Sequence, residues 1–164
     1  MRELGSAPVP RPGQDDHLRG PARAPLLIVY ADFECPFCAL LHERLAAVET
    51  RVAFRHFPVR SSHPRAWAAA CAAEAAGLQG RFWEMHDALF ADQGRLEDPH
   101  LWERARRLGL ELGRFDSGRR SEPVLARVRR DFESGVRGGV VGTPTAFAVD
   151  ERGVRAVDAR SLGA

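Results

Sequence analysis

Two cysteines three positions apart, Cys35 and Cys38, enclose Pro36 and Phe37. The apolar run Leu26–Ala31 precedes them, and Ala39–Val48, with helical spacing, follows. The pair therefore falls where a strand feeds a helix. Cys35 is expected as N-cap and Pro36 as the first helical residue, where a missing N–H costs nothing. Cys38 then occupies the third helical position. Its N–H, one of the unpaired donors of the first turn, is expected to point at the Cys35 sulfur. The helix dipole adds partial positive charge there. Both effects favour a thiolate, and cysteines so placed ionise at roughly 3.5–7.5. A thiolate attacks disulfides, and a second sulfur nearby resolves the mixed disulfide. The residues point to thiol–disulfide exchange.

The elements that hold this pair can be read from the pattern. Arg51–Phe57 alternates polar and apolar residues as a strand does. Strand, helix and strand in about thirty residues form a βαβ unit with parallel strands. Residues 62–137 are nearly all helical in pattern. Ala-rich 65–77, a helix near 81–90, one starting at Asp98-Pro99, a short turn near 112–115 and a last helix from Ser121 are expected. Gly135, Gly138 and Gly139 are expected to end the last one. Thr145–Val149 and Val154–Val157, joined by a turn at 150–153, should pair as an antiparallel hairpin. The fold class is α/β. The expected organisation is a flexible Pro/Gly-rich arm at 1–24, a βαβ half at 25–61, a helical insertion at 62–138, a ββ half at 139–158 and a short tail at 159–164.

Composition narrows the function. The 164 residues are 45% hydrophobic and carry a formal net charge of +2, too mild to argue for nucleic acid. Every basic residue but histidine is arginine; without lysine there is no Schiff base. No run of about 18 apolar residues is present, so no membrane segment is expected. The N-terminal stretch has no apolar signal core, so a cytoplasmic location is expected. Three cysteines do not make a disulfide framework, and Cys71, inside an alanine run, reads as a small buried hydrophobe. A structural zinc site wants four ligands, usually two cysteine pairs, and His42, His56, His63, His86 and His100 show no ligand spacing; no metal is expected.

Together, Asp16-His17, Gly20-Pro21, Asp32-Phe33-Glu34-Cys35-Pro36-Phe37-Cys38, Phe54-Arg55-His56-Phe57-Pro58, Gly80–His86 and Thr143-Pro144 resemble DsbA-like oxidoreductases over roughly residues 16–158. The helical stretch between Cys35 and Pro144 is the mark of that branch of the thioredoxin fold. The resemblance implies Cys35 as nucleophile, Cys38 as resolving cysteine and Pro144 as a cis-proline. It implies that backbone at Thr143 pairs with substrate peptide by strand addition. Phe37 would offer an apolar contact. The partners implied are protein or peptide thiols and disulfides. The redox centre is the cysteine pair itself, with no separate cofactor; glutathione or a thioredoxin-type protein would supply electrons.

The sequence departs from the resemblance twice. Many thioredoxin-fold enzymes carry a buried acid six residues before the first cysteine; here that position is Val29, so Asp32 or Glu34 would have to substitute, through water, or the step is slow. The usual closing helix is absent from these residues, so a partner, such as a second copy forming a homodimer, would cover that face. Phe37 gives the thiolate no charge or donor, and Pro-Phe looks closer to the glutaredoxin type. A potential of roughly −180 to −240 mV is expected. Two other readings stay open: a non-catalytic thioredoxin-fold binding module and a glutathione-dependent reductase.

Overall fold

The computed structural model describes residues 7–164. Strands β1 (His17–Arg19), β2 (Leu26–Ala31), β3 (Arg51–His56), β4 (Thr145–Asp150) and β5 (Gly153–Val157) form one sheet in the order β1-β3-β2-β4-β5. Among the described residues only β2 and β3 pair in parallel, and helix α1 (Pro36–Ala46) joins them. Between β3 and β4 lie α2 (Ala66–Gly77), α3 (Phe82–Ala91), α4 (Asp98–Arg107), α5 (Leu112–Arg119) and α6 (Glu122–Arg137). This is a thioredoxin-like fold with an inserted helical unit.

Strand β2 is buried on both faces, as its continuous apolar sequence requires. Leu27, Val29 and Ala31 point into the larger core with Leu41 and Leu45 of α1, Phe54 of β3 and Met85, Leu89 and Phe90 of α3. Ile28 and Tyr30 point to the other face, where Val9, Phe57, Val140 and Phe147 pack and Phe132 of α6 covers them. The alternation fixes the register of β2, and so the place where the chain leaves the sheet toward Cys35.

Three expectations are corrected. The 1–24 segment is not an arm throughout: His17–Arg19 pairs antiparallel with β3, and Val9 and Ala24 are buried. Gly20 ends this edge strand at φ +111°, and an added Cβ would lie 2.1 Å from the Thr50 carbonyl oxygen. Gly135 does not end α6. The helix continues to Arg137, and a Cβ at 135 would stand 2.7 Å from the Phe57 ring, so this glycine lets α6 approach the sheet. The expected turn at 112–115 is a helix, α5, whose first turn is capped by the Glu111 carboxylate accepting from Gly113 and Arg114 N–H. The tail forms a single 3-10 turn at Ala159–Ser161, and Ala159 and Leu162 lean on the larger core.

Candidate active site

Cys35 is the N-cap of α1 and Pro36 its first residue, as the sequence indicated. The Cys38 N–H reaches the Cys35 carbonyl at 3.1 Å and also favours the ionised Cys35 sulfur. The sulfur sits 3.5 Å from the Thr143 carbonyl oxygen, which accepts from the thiol. The Thr143–Pro144 peptide is cis and leads directly into β4, with Thr143 against Cys35. Residues 108 positions apart in the chain, Cys35 and Thr143, are thus brought together.

The two sulfurs are in opposite electrostatic situations. The Cys35 thiol is lowered to about 5, chiefly by hydrogen bonding from Cys38, against the cost of burial; the Thr143 side chain and the N–H groups of Cys38 and Phe37 add to the effect. Cys38 is 2% exposed, and burial, then its bond to Cys35, pushes its thiol far above the ordinary range. The Asp32 N–H, 3.5 Å from the Cys38 sulfur, works in the other direction. One sulfur is held ready to attack while its neighbour keeps the proton.

The loop that carries Cys35 is fixed by groups from distant elements. The Asp32 side chain, fully buried, accepts from Glu34 N–H (2.8 Å), Val59 N–H (2.8 Å) and the His63 ring (2.9 Å). Glu34 accepts from the Arg65 N–H (2.8 Å) and guanidinium (3.0 Å). Both carboxylates anchor backbone, and neither bonds the Cys38 sulfur directly. Gln93, after α3, donates 2.8 Å bonds to the carbonyls of Phe33 and Cys35. Gln93, His63 and Arg65 carried no signal in the sequence, because their partners lie about thirty to sixty residues away.

Phe37 is 69% exposed and stands at one wall of a groove of about 450 Å³. Leu40, Thr143, Pro144, Val157 and Ala159 complete most of its apolar lining. Cys71 is buried in a separate cluster with Ala70, Val124 and Val128, and burial pushes its thiol up to about 11. The histidines, which lacked ligand spacing in the sequence, partly converge in space. His42, His86 and Asp87 bring three potential ligand atoms within 4.8 Å. Arg19 occupies both Asp87 oxygens at 2.8 and 2.9 Å, and its charge opposes a cation there.

Residues 49–163 match the family described as the DSBA-like thioredoxin domain. The chain belongs to this family. DsbA2 of Pseudomonas aeruginosa superposes with a TM-score of 0.68 at 25% identity, covering 90% of this chain and 87% of that one. A thioredoxin-like oxidoreductase of Silicibacter pomeroyi gives a TM-score of 0.75 at 21% identity, covering 87% and 84%. Among curated relatives, Na(+)/H(+) antiporter NhaA 1 of Salinispora arenicola is 42% identical over 150 residues, 88% of this chain and 23% of that protein. The DsbA-like chain thus spans about a quarter of the length of the curated relatives it matches. Its fold and family are those of thiol–disulfide oxidoreductases. Among the described residues, no helix is long and apolar enough to cross a membrane.

Proposed function

We propose that this DsbA-like chain exchanges disulfides with protein substrates through Cys35 and Cys38. The observation that carries this reading is the Cys35 sulfur at the start of α1, three residues from Cys38 and 3.5 Å from the carbonyl of the cis Thr143–Pro144 peptide. Its lowering to about 5, with the second sulfur raised by burial, supports the same role. The Cys35 thiolate attacks a substrate disulfide and expels one substrate thiolate. Cys38 then attacks the Cys35 sulfur; the second substrate thiolate leaves with its electron pair, and the internal disulfide closes. Run backwards, the same steps oxidise a substrate, and direction follows the surrounding redox poise. The backbone at Thr143 suits strand addition, and the groove beside Phe37 suits apolar side chains of an extended or unfolded segment.

Redox titration against glutathione, with alkylation to count thiols, tests this. Two thiols should titrate together at roughly −180 to −240 mV, because Phe37 lends the thiolate no charge or donor. Cys71 should stay alkylatable only after unfolding. A potential near that of DsbA or thioredoxin would contradict the argument from Phe37.

The antiporter relatives favour a second reading, a regulatory module attached to a transporter that has no turnover of its own. Under it Cys35 would titrate near the ordinary thiol value of about 8.5.

A further inference from the structure

Resolution of the mixed disulfide needs Cys38 to lose a proton, yet Cys38 is buried and the carboxylates of Asp32 and Glu34 are committed to loop donors. A cleft of about 180 Å³ is lined in part by Cys38 and not by either of those carboxylates. Val29, at the position where related folds place an acid, is part of its apolar wall, and its polar lining is His42, His86, Arg19 and Thr50. His42 lies one turn after Cys38 on α1. A cleft of that size with polar walls accommodates several waters.

We propose that His42, through water in this cleft, takes the Cys38 proton during resolution and returns it in the reverse direction. The inference rests on the disulfide-exchange reading and names the residue that makes its second step fast. In the mixed disulfide Cys35 is no longer an anion, so its contributions to holding the proton on Cys38 disappear and burial alone remains. The Cys38 proton passes to the imidazole, and the Cys38 thiolate attacks the Cys35 sulfur. The Cys35–Cys38 bond forms, the bond to substrate breaks, and the electron pair leaves on the substrate sulfur. The substrate disulfide is the oxidant.

The surroundings of His42 suit the role. Burial first, and then Arg19, hold it below the ordinary histidine value, while Asp87 and Glu43 act in the opposite sense, so the ring is neutral at pH 7. From α3, Asp87 stands 3.5 Å from Nε2, and the His86 ring packs edge-on at 5.0 Å. His86 is kept neutral as well, lowered to about 4 mainly by burial. From β1, Arg19 fixes Asp87. The groups that line the cleft from β3 are apolar: Val52 and Phe54. A carboxylate beside Nε2 favours the proton there and leaves Nδ1 as the base. The His42 side chain is 21% exposed, so the proton has a route to bulk water.

The test is rapid mixing of the reduced protein with oxidised glutathione, acid quenching, and mass analysis of the glutathione adduct. Two steps separate: adduct formation, proportional to glutathione disulfide, and its concentration-independent decay. His42→Gln should slow the decay about a hundredfold, at the low end for proton transfer by a positioned base, with adduct formation changed less than about twofold. The wild-type decay rate should fall as pH drops through the His42 ionisation, and the variant should lose that bend. In His42→Ala, added imidazole should restore the decay, which a merely structural role would not allow. Decay at the wild-type rate in both variants, or the same bend in both, overturns the inference and leaves the exchange reading intact. No adduct at all in the wild type overturns the exchange reading and the inference with it.

Discussion

Cys35→Ser should lower the rate at which the protein, recycled by dithiothreitol, reduces insulin disulfides by more than about a thousandfold, to the uncatalysed background. The serine hydroxyl is not ionised near neutrality and cannot form the mixed disulfide. Cys38→Ser should behave differently: attack by Cys35 survives, resolution does not, and covalent protein–substrate adducts accumulate on a non-reducing gel. Cys71→Ala should leave the rate unchanged, because Cys71 packs in its own cluster. Cys35→Ser activity above a tenth of wild type would remove Cys35 from the role of nucleophile. The same substitution should change how stability depends on pH. The Cys35 thiol titrates at about 5 in the fold and at about 8.5 in an unfolded chain. A lowered folded value means that the ionised sulfur stabilises the reduced fold, fully above about 8.5, and that this contribution is lost as pH falls through about 5. Cys38, raised by burial, opposes it above about 8.5. The reduced wild type should therefore gain on Cys35→Ser as pH rises from 5 to about 8.

Asp32→Ala should destabilise the reduced protein by about 2–4 kcal/mol and lower its Tm by roughly 5–15 °C. Three donors lose their acceptor at once: the N–H groups of Glu34 and Val59 and the His63 ring. Each buried donor left unpaired costs about 1–3 kcal/mol, partly offset because a buried side chain that was costly to desolvate is gone. Asp32→Asn keeps an acceptor oxygen and should lose less. Function should follow stability, because the loop held by Asp32 carries Cys35 to the helix start; once it loosens, the Cys35 thiol should move back toward the ordinary range. Thermal denaturation of the reduced variant checks the first point, and a loss below about 1 kcal/mol would show that Arg65 and Gln93 hold the loop without Asp32.

The nucleophile and the frame around it were legible because their signals are local. A buried six-residue apolar run, a proline at the first helical position and a cysteine on each side of Pro36-Phe37 need no distant partner to be read. The closeness of Thr143-Pro144 to Cys35 was reached only through family resemblance, because no local pattern carries a contact across 108 residues. What failed locally failed for tertiary reasons. His17–Arg19 is short and polar on its face and becomes a strand only because β3 offers it an edge. Leu112–Arg119 contains two glycines and a serine, weak helix formers; burial of Phe115 and the close fit of Gly118 against α2 hold it helical. Gly135 has the residue type of a terminator and the surroundings of a contact point. Asp32 and Glu34 stand out in sequence only by their nearness to Cys35. Their anchoring of the loop, through Val59, His63 and Arg65, depends on residues that no local pattern ties to them.

Disulfide exchange by this protein depends on Cys35 being a thiolate at neutral pH because of where the fold puts it. The pH titration of thiolate absorbance in the reduced protein, with Cys35→Ser as the blank, measures this directly. The structure leads to one ionisation centred at about 5 that vanishes in the variant. A single midpoint at about 8.5, the value of a free cysteine, would contradict it.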